Sequence, residues 1–117
     1  MKCLHIITPV KDSIDSTLET VKAIMESDIL VPFTYTVYND FSTEENTHRL
    51  EEAARQWNFR LVNLSDLTDH PSPNYLLVLQ TAQKEAIEAD AGLLIVESDV
   101  IVKKNTLQSL YNGALQQ

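Results

Sequence analysis

Along 117 residues, apolar runs of strand length alternate with stretches whose apolar residues recur at helical spacing. A chain patterned in this way is expected to fold as a parallel sheet flanked by helices. Cys3 to Ile7 is the first strand, stopped by Thr8-Pro9. Ile14, Leu18, Val21 and Met25 then place one apolar stripe on a helix over Asp15 to Glu26. Phe33 to Tyr38, rich in aromatic and β-branched residues, is the second strand. After Asn39-Asp40, Ser42 and Glu45 have capping-box spacing and open a helix with Leu50, Ala53, Ala54 and Trp57 on its apolar face. Arg60 to Leu64 is the third strand, and the turn-prone segment from Ser65 to Pro73 follows it. A helix from Asn74 to Ala89 carries Leu79, Ala82 and Ala86, and Gly92 to Val96 is the fourth strand. Leu107, Leu110, Tyr111 and Ala114 mark a last amphipathic helix.

This is enough chain for one domain over residues 1–117, and too little for two. With 9 basic against 17 acidic residues the formal charge is -8, which repels a phosphate backbone and excludes nucleic acid as the main partner. Gly92 and Gly113 are the only glycines, so neither a Walker loop nor a G-x-G-x-x-G turn can be present. Cys3 is the only cysteine, which excludes an intrachain disulfide and a cysteine-based zinc cluster, and it reads as a small core residue. No run approaches the roughly 20 apolar residues of a membrane-spanning helix, and no signal-peptide pattern opens the chain. A cytoplasmic location is the expectation.

In open α/β sheets, ligands bind beyond the carboxyl ends of the strands, where the strand order reverses. With an order of 3-2-1-4, three polar strand ends share one rim: Thr8-Pro9-Val10-Lys11-Asp12, Asn39-Asp40 and Glu97-Ser98-Asp99. A carboxylate at Asp40 can accept the imide proton of uracil or a similar edge of another base. Acids two residues apart, Glu97 and Asp99, can direct one carboxylate to a ribose hydroxyl and the other to Mn²⁺ or Mg²⁺. Such ions prefer oxygen ligands and commonly share them with substrate phosphates.

These three stations resemble those of the family-2 glycosyltransferases of GT-A fold, which carry Pro-Val-Tyr-Asn, Asp-Asp-Gly-Ser-Thr-Asp and Asp-x-Asp in this order. Here they read Pro9-Val10-Lys11-Asp12, Asn39-Asp40-Phe41-Ser42-Thr43-Glu44 and Glu97-Ser98-Asp99. The resemblance implies a Rossmann-like α/β half with helices on both faces. It places Thr8, Pro9 and Lys11 beside the nucleoside, Asp40 on the base, Glu97 and Ser98 in the donor site near ribose, and Asp99 on the divalent cation. Lys11 stands where the family often has an aromatic residue, Asn39 for the first acid, Phe41 for a glycine and Glu97 for an aspartate. The family's Arg-Asn pair is not evident around Gln80 to Lys84.

The resemblance further implies a nucleoside-diphosphate sugar, with UDP as the nucleotide, as donor and a glycan or lipid-linked acceptor. In the family, the acceptor half follows the third station and supplies the base of an inverting transfer. The chain is therefore expected to be the donor half of a longer enzyme, with its catalytic base beyond Gln117, inactive in transfer alone and peripheral to the inner membrane through further segments.

Each residue also has a structural reading. Asp40 could cap the helix that Ser42 begins, and Glu97 and Asp99 could be solvated acids before a helix N-terminus. Lys11 alone reads as a surface charge, His5 as a satisfied, partly buried side chain, His48 and His70 as surface residues, and Trp57 as core. The segment Asp66 to Pro73 reads as a flexible loop beside the crevice. Two other functions fit the pattern: a receiver-type signalling domain binding Mg²⁺, and a nonenzymatic nucleotide-binding module. A receiver domain needs adjacent acids after its first strand, where this chain offers only Asp12.

Overall fold

In the computed structural model, which describes residues 2–98, 108 and 112, four parallel strands form one sheet in the order β3-β2-β1-β4. The strands are β1 (Cys3–Val10), β2 (Phe33–Asn39), β3 (Arg60–Asn63) and β4 (Ala91–Ile95). Between them lie α1 (Ile14–Met25), α2 (Glu44–Trp57) and, after a short 3-10 turn at Leu64–Asp66, α3 (Tyr75–Glu88). The last helix and Asp99 lie outside the described residues. The order places β3 beside β2 and β4 beside β1. A receiver domain has its third strand beside its first, so the topology removes that alternative.

Side-chain alternation along β1 and β2 splits the core in two. Leu4, Ile6, Val10, Tyr35 and Val37 pack with Val21 and Ile24 of α1 and Leu50 and Ala53 of α2. On the other face, Ile7 and Tyr38 pack with Leu64 and with Val78 and Ala82 of α3. Helices thus cover both faces, as the sequence pattern implies.

Several local expectations shift. The first strand does not stop at Thr8-Pro9 but runs on to Val10. Ile7 is the last β1 residue paired with β4, whereas the pairing with β2 continues through Pro9↔Tyr38 to Val10↔Asn39. The Ile7 carbonyl accepts from Val96, so odd-numbered β1 residues turn their backbone groups towards β4. The N–H that Pro9 lacks would face that side, where no strand continues, and proline is tolerated there.

The helix after Asp40 begins one residue later than the Ser42–Glu45 box suggests. Thr43 is its N-cap and accepts from the Asn46 N–H at 3.3 Å. Ser42 Oγ instead accepts from the Asp12 N–H at 2.8 Å. On α3 the buried stripe is Val78, Ala82 and Ala86, with Leu79 only half-buried. On α1, Thr17, Thr20 and Ile24 are buried beside Ile14 and Val21, while Leu18 and Met25 pack at the margin. Thr17 donates its hydroxyl to the Ser13 carbonyl, and Thr20 has the carbonyls of Ser16 and Ser98 both within reach of its one hydroxyl proton, which allows polar residues to face the sheet. Cys3 is half-buried and not a full core member.

Candidate functional site

The carboxyl ends of β1, β2 and β4 open on one side of the sheet. A crevice of about 200 Å³ lies there, lined by Pro9, Val10 and Lys11 after β1, Asp40 after β2, Ser72, Pro73, Tyr75 and Val78 around the start of α3, and Glu97 after β4. Four of the residues read from the sequence as donor contacts, Pro9, Lys11, Asp40 and Glu97, therefore line one cavity.

Asp40 is its most constrained member. The residue is 8% exposed. Oδ2 accepts from Ser72 Oγ at 2.9 Å and from the Asn74 N–H at 2.9 Å, and Oδ1 accepts from Asn74 Nδ2 at 2.9 Å. A carboxylate offers about four lone-pair sites. Among the described residues, three are engaged. The alternative reading of Asp40 as a cap on α2 gives way to a bond at the other helix: Asp40 binds at the N-cap residue of α3, where a negative charge is favourable. Its own N–H donates to the Val10 carbonyl at 2.7 Å, joining the ends of β1 and β2.

At the N-terminus of α2 the carboxylate is that of Asp12. Its Oδ1 accepts from the Thr43 N–H at 2.7 Å and from Asn46 Nδ2 at 3.1 Å. These bonds, the Thr43 amide above all, hold the Asp12 carboxyl below its ordinary pKa, with a smaller contribution from the Lys11 ammonium. The Lys11 ammonium donates to the Phe41 carbonyl and lies 3.9 Å from Asp12 Oδ2. Asp12 and Phe41 both adopt left-handed backbone, at φ 66° and 60°. Phe41 therefore occupies a conformation that suits the glycine of the resembled motif. The two loops are clasped by hydrogen bonds running in both directions.

The remaining sequence candidates are placed differently. Thr8 is fully buried, and its Oγ1 accepts from the Tyr35 hydroxyl at 2.8 Å, on the α1 and α2 side of the sheet. Burial pushes the Tyr35 hydroxyl pKa up strongly. Glu97 is exposed at the rim and Ser98 is half-buried. The Ser98 carbonyl accepts from Thr20 Oγ1 at 3.0 Å, which anchors the corner after β4 to α1. Among the described residues no group of three His, Cys, Asp or Glu side chains could hold a metal ion. A single rim carboxylate does suit an ion held jointly with substrate phosphates, the usual arrangement for Mg²⁺.

Ser72, Asn74 and Tyr75 were not singled out from the sequence. The available signal was a Ser-Pro-Asn sequence directly before a helix, with the composition of a cap. The loop expected to be flexible is tied down: the His70 N–H donates to Thr68 Oγ1 at 3.1 Å, and Asn74 Nδ2 donates to the His70 carbonyl at 2.9 Å.

A second cavity, of about 430 Å³, lies towards the amino ends of the strands and is lined in part by Cys3, His5, Thr34, Thr36, Arg60 and Glu85. Here His5 is 5% exposed, with Nδ1 at 2.7 Å from Thr34 Oγ1 and Nε2 without a partner among the described residues. The expectation of a satisfied His5 thus holds for only one of its nitrogens. Arg60 and Glu85 form a paired contact on the same side, and Glu85 Oε1 accepts from the Tyr38 hydroxyl at 3.3 Å. Burial, then the Glu85 charge, pushes the Tyr38 hydroxyl up to about 12.

No protein-family profile matches the sequence, and no curated protein matches it. Solved structures do match. Residues 1–349 of S. aureus TarS superpose with a TM-score of 0.66 at 21% identity, over 99% of this chain and 33% of that one. The same region of TarS in complex with UDP-GlcNAc gives 0.66 at 22% identity, over 99% and 32%. The mannosyltransferase PcManGT from Pyrobaculum calidifontis, in complex with GDP-Man and Mn²⁺, gives 0.69 at 18% identity, over 92% and 30%. The chain spans about a third of the length of these proteins. Its four-stranded parallel α/β architecture is the Rossmann-like fold that TarS and the PcManGT mannosyltransferase share.

Proposed function

We propose that this chain is the donor-binding half of a family-2 glycosyltransferase and binds a nucleoside-diphosphate sugar in the crevice beyond β1, β2 and β4. The observation that carries the reading is the convergence of Pro9, Lys11, Asp40 and Glu97, from three separate strand ends, on one cavity. The fold neighbours add support, since one was solved with UDP-GlcNAc and another with GDP-Man and Mn²⁺.

In this reading the Asp40 carboxylate accepts an imide or amide proton of the base, with UDP as the nucleotide. Pro9 and the backbone around Thr8 border the nucleoside. Glu97 and Ser98 lie on the ribose and diphosphate side, and Asp99 is the cation ligand. The cation, Mn²⁺ or Mg²⁺, would supply charge neutralisation of the diphosphate leaving group. An acidic chain could then accept an anionic donor. Transfer to a glycan or lipid-linked hydroxyl, inversion at the sugar carbon and a general base belong, in this proposal, to a whole enzyme of which the chain is one part. So does peripheral contact with a cytoplasmic membrane face.

Calorimetric titration tests the proposal: UDP and UDP-sugars with and without Mn²⁺, on this chain and on Asp99→Ala. The expected result is metal-dependent UDP binding that the substitution weakens. Absence of nucleoside diphosphate binding, or binding indifferent to both the metal and Asp99, would overturn it. A nonenzymatic nucleotide-binding module would bind UDP without preference for the sugar-bearing form.

A further inference from the structure

We propose that Tyr75 supplies the aromatic surface on which the donor base stacks, an inference that rests on the donor-site reading above. The end of β1 contributes Pro9, Val10 and Lys11 to the crevice, none of them aromatic. Lys11 occupies the place after Pro9-Val10, and its ammonium is engaged with the Phe41 carbonyl and lies near Asp12. Trp57 packs with the core on the far face of the sheet, and Phe41 packs against the Ile7 and Tyr38 cluster. Tyr75 is the aromatic residue among those lining the crevice.

Its ring is also available. Tyr75 is 44% exposed and lines the crevice. The ring makes no aromatic pair among the described residues.

Its position relative to Asp40 is fixed by bonds already described. Asn74, the residue before Tyr75, donates both its backbone N–H and its side-chain amide to the Asp40 carboxylate. The backbone that carries Tyr75 is therefore tied to the Asp40 carboxylate at the start of α3. The crevice, at about 200 Å³, is smaller than the roughly 300–1,000 Å³ of sites that enclose a drug-sized ligand. It suits one planar ring, with the ribose and diphosphate running out past Glu97. A base with its polar edge on Asp40 would lie with its face against Tyr75.

Aromatic stacking on a base tolerates any planar ring and needs no hydroxyl. The test is equilibrium binding of UDP, and separately of inorganic diphosphate, in the presence of Mn²⁺, to the wild-type chain, Tyr75→Phe and Tyr75→Ala. Thermal midpoints are recorded for each, and the uracil H5 and H6 resonances are followed by NMR. Tyr75→Ala is expected to weaken UDP about 5- to 100-fold while leaving diphosphate affinity unchanged. Tyr75→Phe should stay within about twofold of wild type, because the ring is kept. Bound uracil protons should shift upfield in the wild type and in Tyr75→Phe, and not in Tyr75→Ala. If UDP binds the wild type and Tyr75→Ala equally, the inference fails while the donor site stands. Equal loss of UDP and diphosphate would mean a disturbed site and also overturns it. If UDP does not bind the wild-type chain, the donor-site reading itself is wrong.

Discussion

The backbone N–H of Asn74 donates to Asp40 Oδ2 at 2.9 Å, while the Asn74 side-chain amide donates to Oδ1 of the same carboxylate at 2.9 Å. One acid at the end of β2 thus positions the start of a helix more than thirty residues away in sequence. Asp40→Ala would leave the Asn74 amide and the Ser72 hydroxyl without their acceptor in a buried setting. Unfolding in urea is expected to show a loss of about 2 kcal/mol or more, the size of a lost charged cap. An unchanged midpoint would mean that water replaces the carboxylate without cost.

Asp12 sets a pH dependence. Its folded pKa lies below the ordinary aspartate value, chiefly because the Thr43 N–H binds the charged form. A carboxyl with a depressed folded pKa contributes stability above its unfolded pKa, near 3.9, and loses it as pH falls through the folded value. Asp12→Asn retains an Oδ1 acceptor but has no proton to gain. The stability difference between wild type and variant should therefore narrow as the solution is acidified from pH 5 towards pH 2, measured by denaturant unfolding. A constant difference across that range would show that the ionised form is not the one stabilised.

His5 acts in the same direction for the opposite chemical reason. Burial disfavours its charged form and lowers its pKa below 6.5 despite the nearby Glu85 charge. The unfolded chain then takes up the proton first as pH falls, so stability decreases from about pH 6.5 down through the folded pKa of His5. A two-dimensional NMR titration should find its ring resonances titrating below those of a free histidine. Titration at or above that value would contradict the burial.

Packing predicts a sharp contrast between two leucines. Leu50 is fully buried between α2 and the sheet, whereas Leu30 is 86% exposed. Leu50→Ala is expected to cost about 2–5 kcal/mol, and Leu30→Ala to change stability by less than about 0.5 kcal/mol. Chemical denaturation of the two variants side by side checks both figures.

The parallel sheet and its order were legible because apolar runs and helical stripes alternate without interruption, and each crossover leaves room for one helix. The shared polar rim was legible for the same reason: Asn39-Asp40 and Glu97 break off from apolar runs, and Asp40 and Glu97 line one crevice. The faces of α1 and α3 were read less well. Thr17 and Thr20 are buried although polar, because each hydroxyl reaches a backbone carbonyl, Ser13 for Thr17 and Ser16 or Ser98 for Thr20, and apolar periodicity does not register that device.

Long-range side-chain bonds account for the rest. Ser42 and Glu45 had capping-box spacing, yet the Ser42 hydroxyl is drawn to the Asp12 amide thirty positions away, and Thr43 takes over the cap. The loop before α3 showed only turn-forming residues. Its order comes from Asp40, a partner that local sequence around Ser72 and Asn74 does not reveal.

Pro9 has a consequence for the shape of the crevice. After the Val96 N–H reaches the Ile7 carbonyl, the next rung of the β1–β4 ladder would run from the nitrogen of residue 9 to the carbonyl of Val96. Proline has no proton to place there. The β1–β4 pairing ends at Ile7↔Ile95, and Glu97 follows as an exposed residue lining the crevice. A proline at this position cannot extend the ladder across the mouth of the crevice that it lines, so the rim of the site and the end of the β1–β4 pairing coincide in one residue.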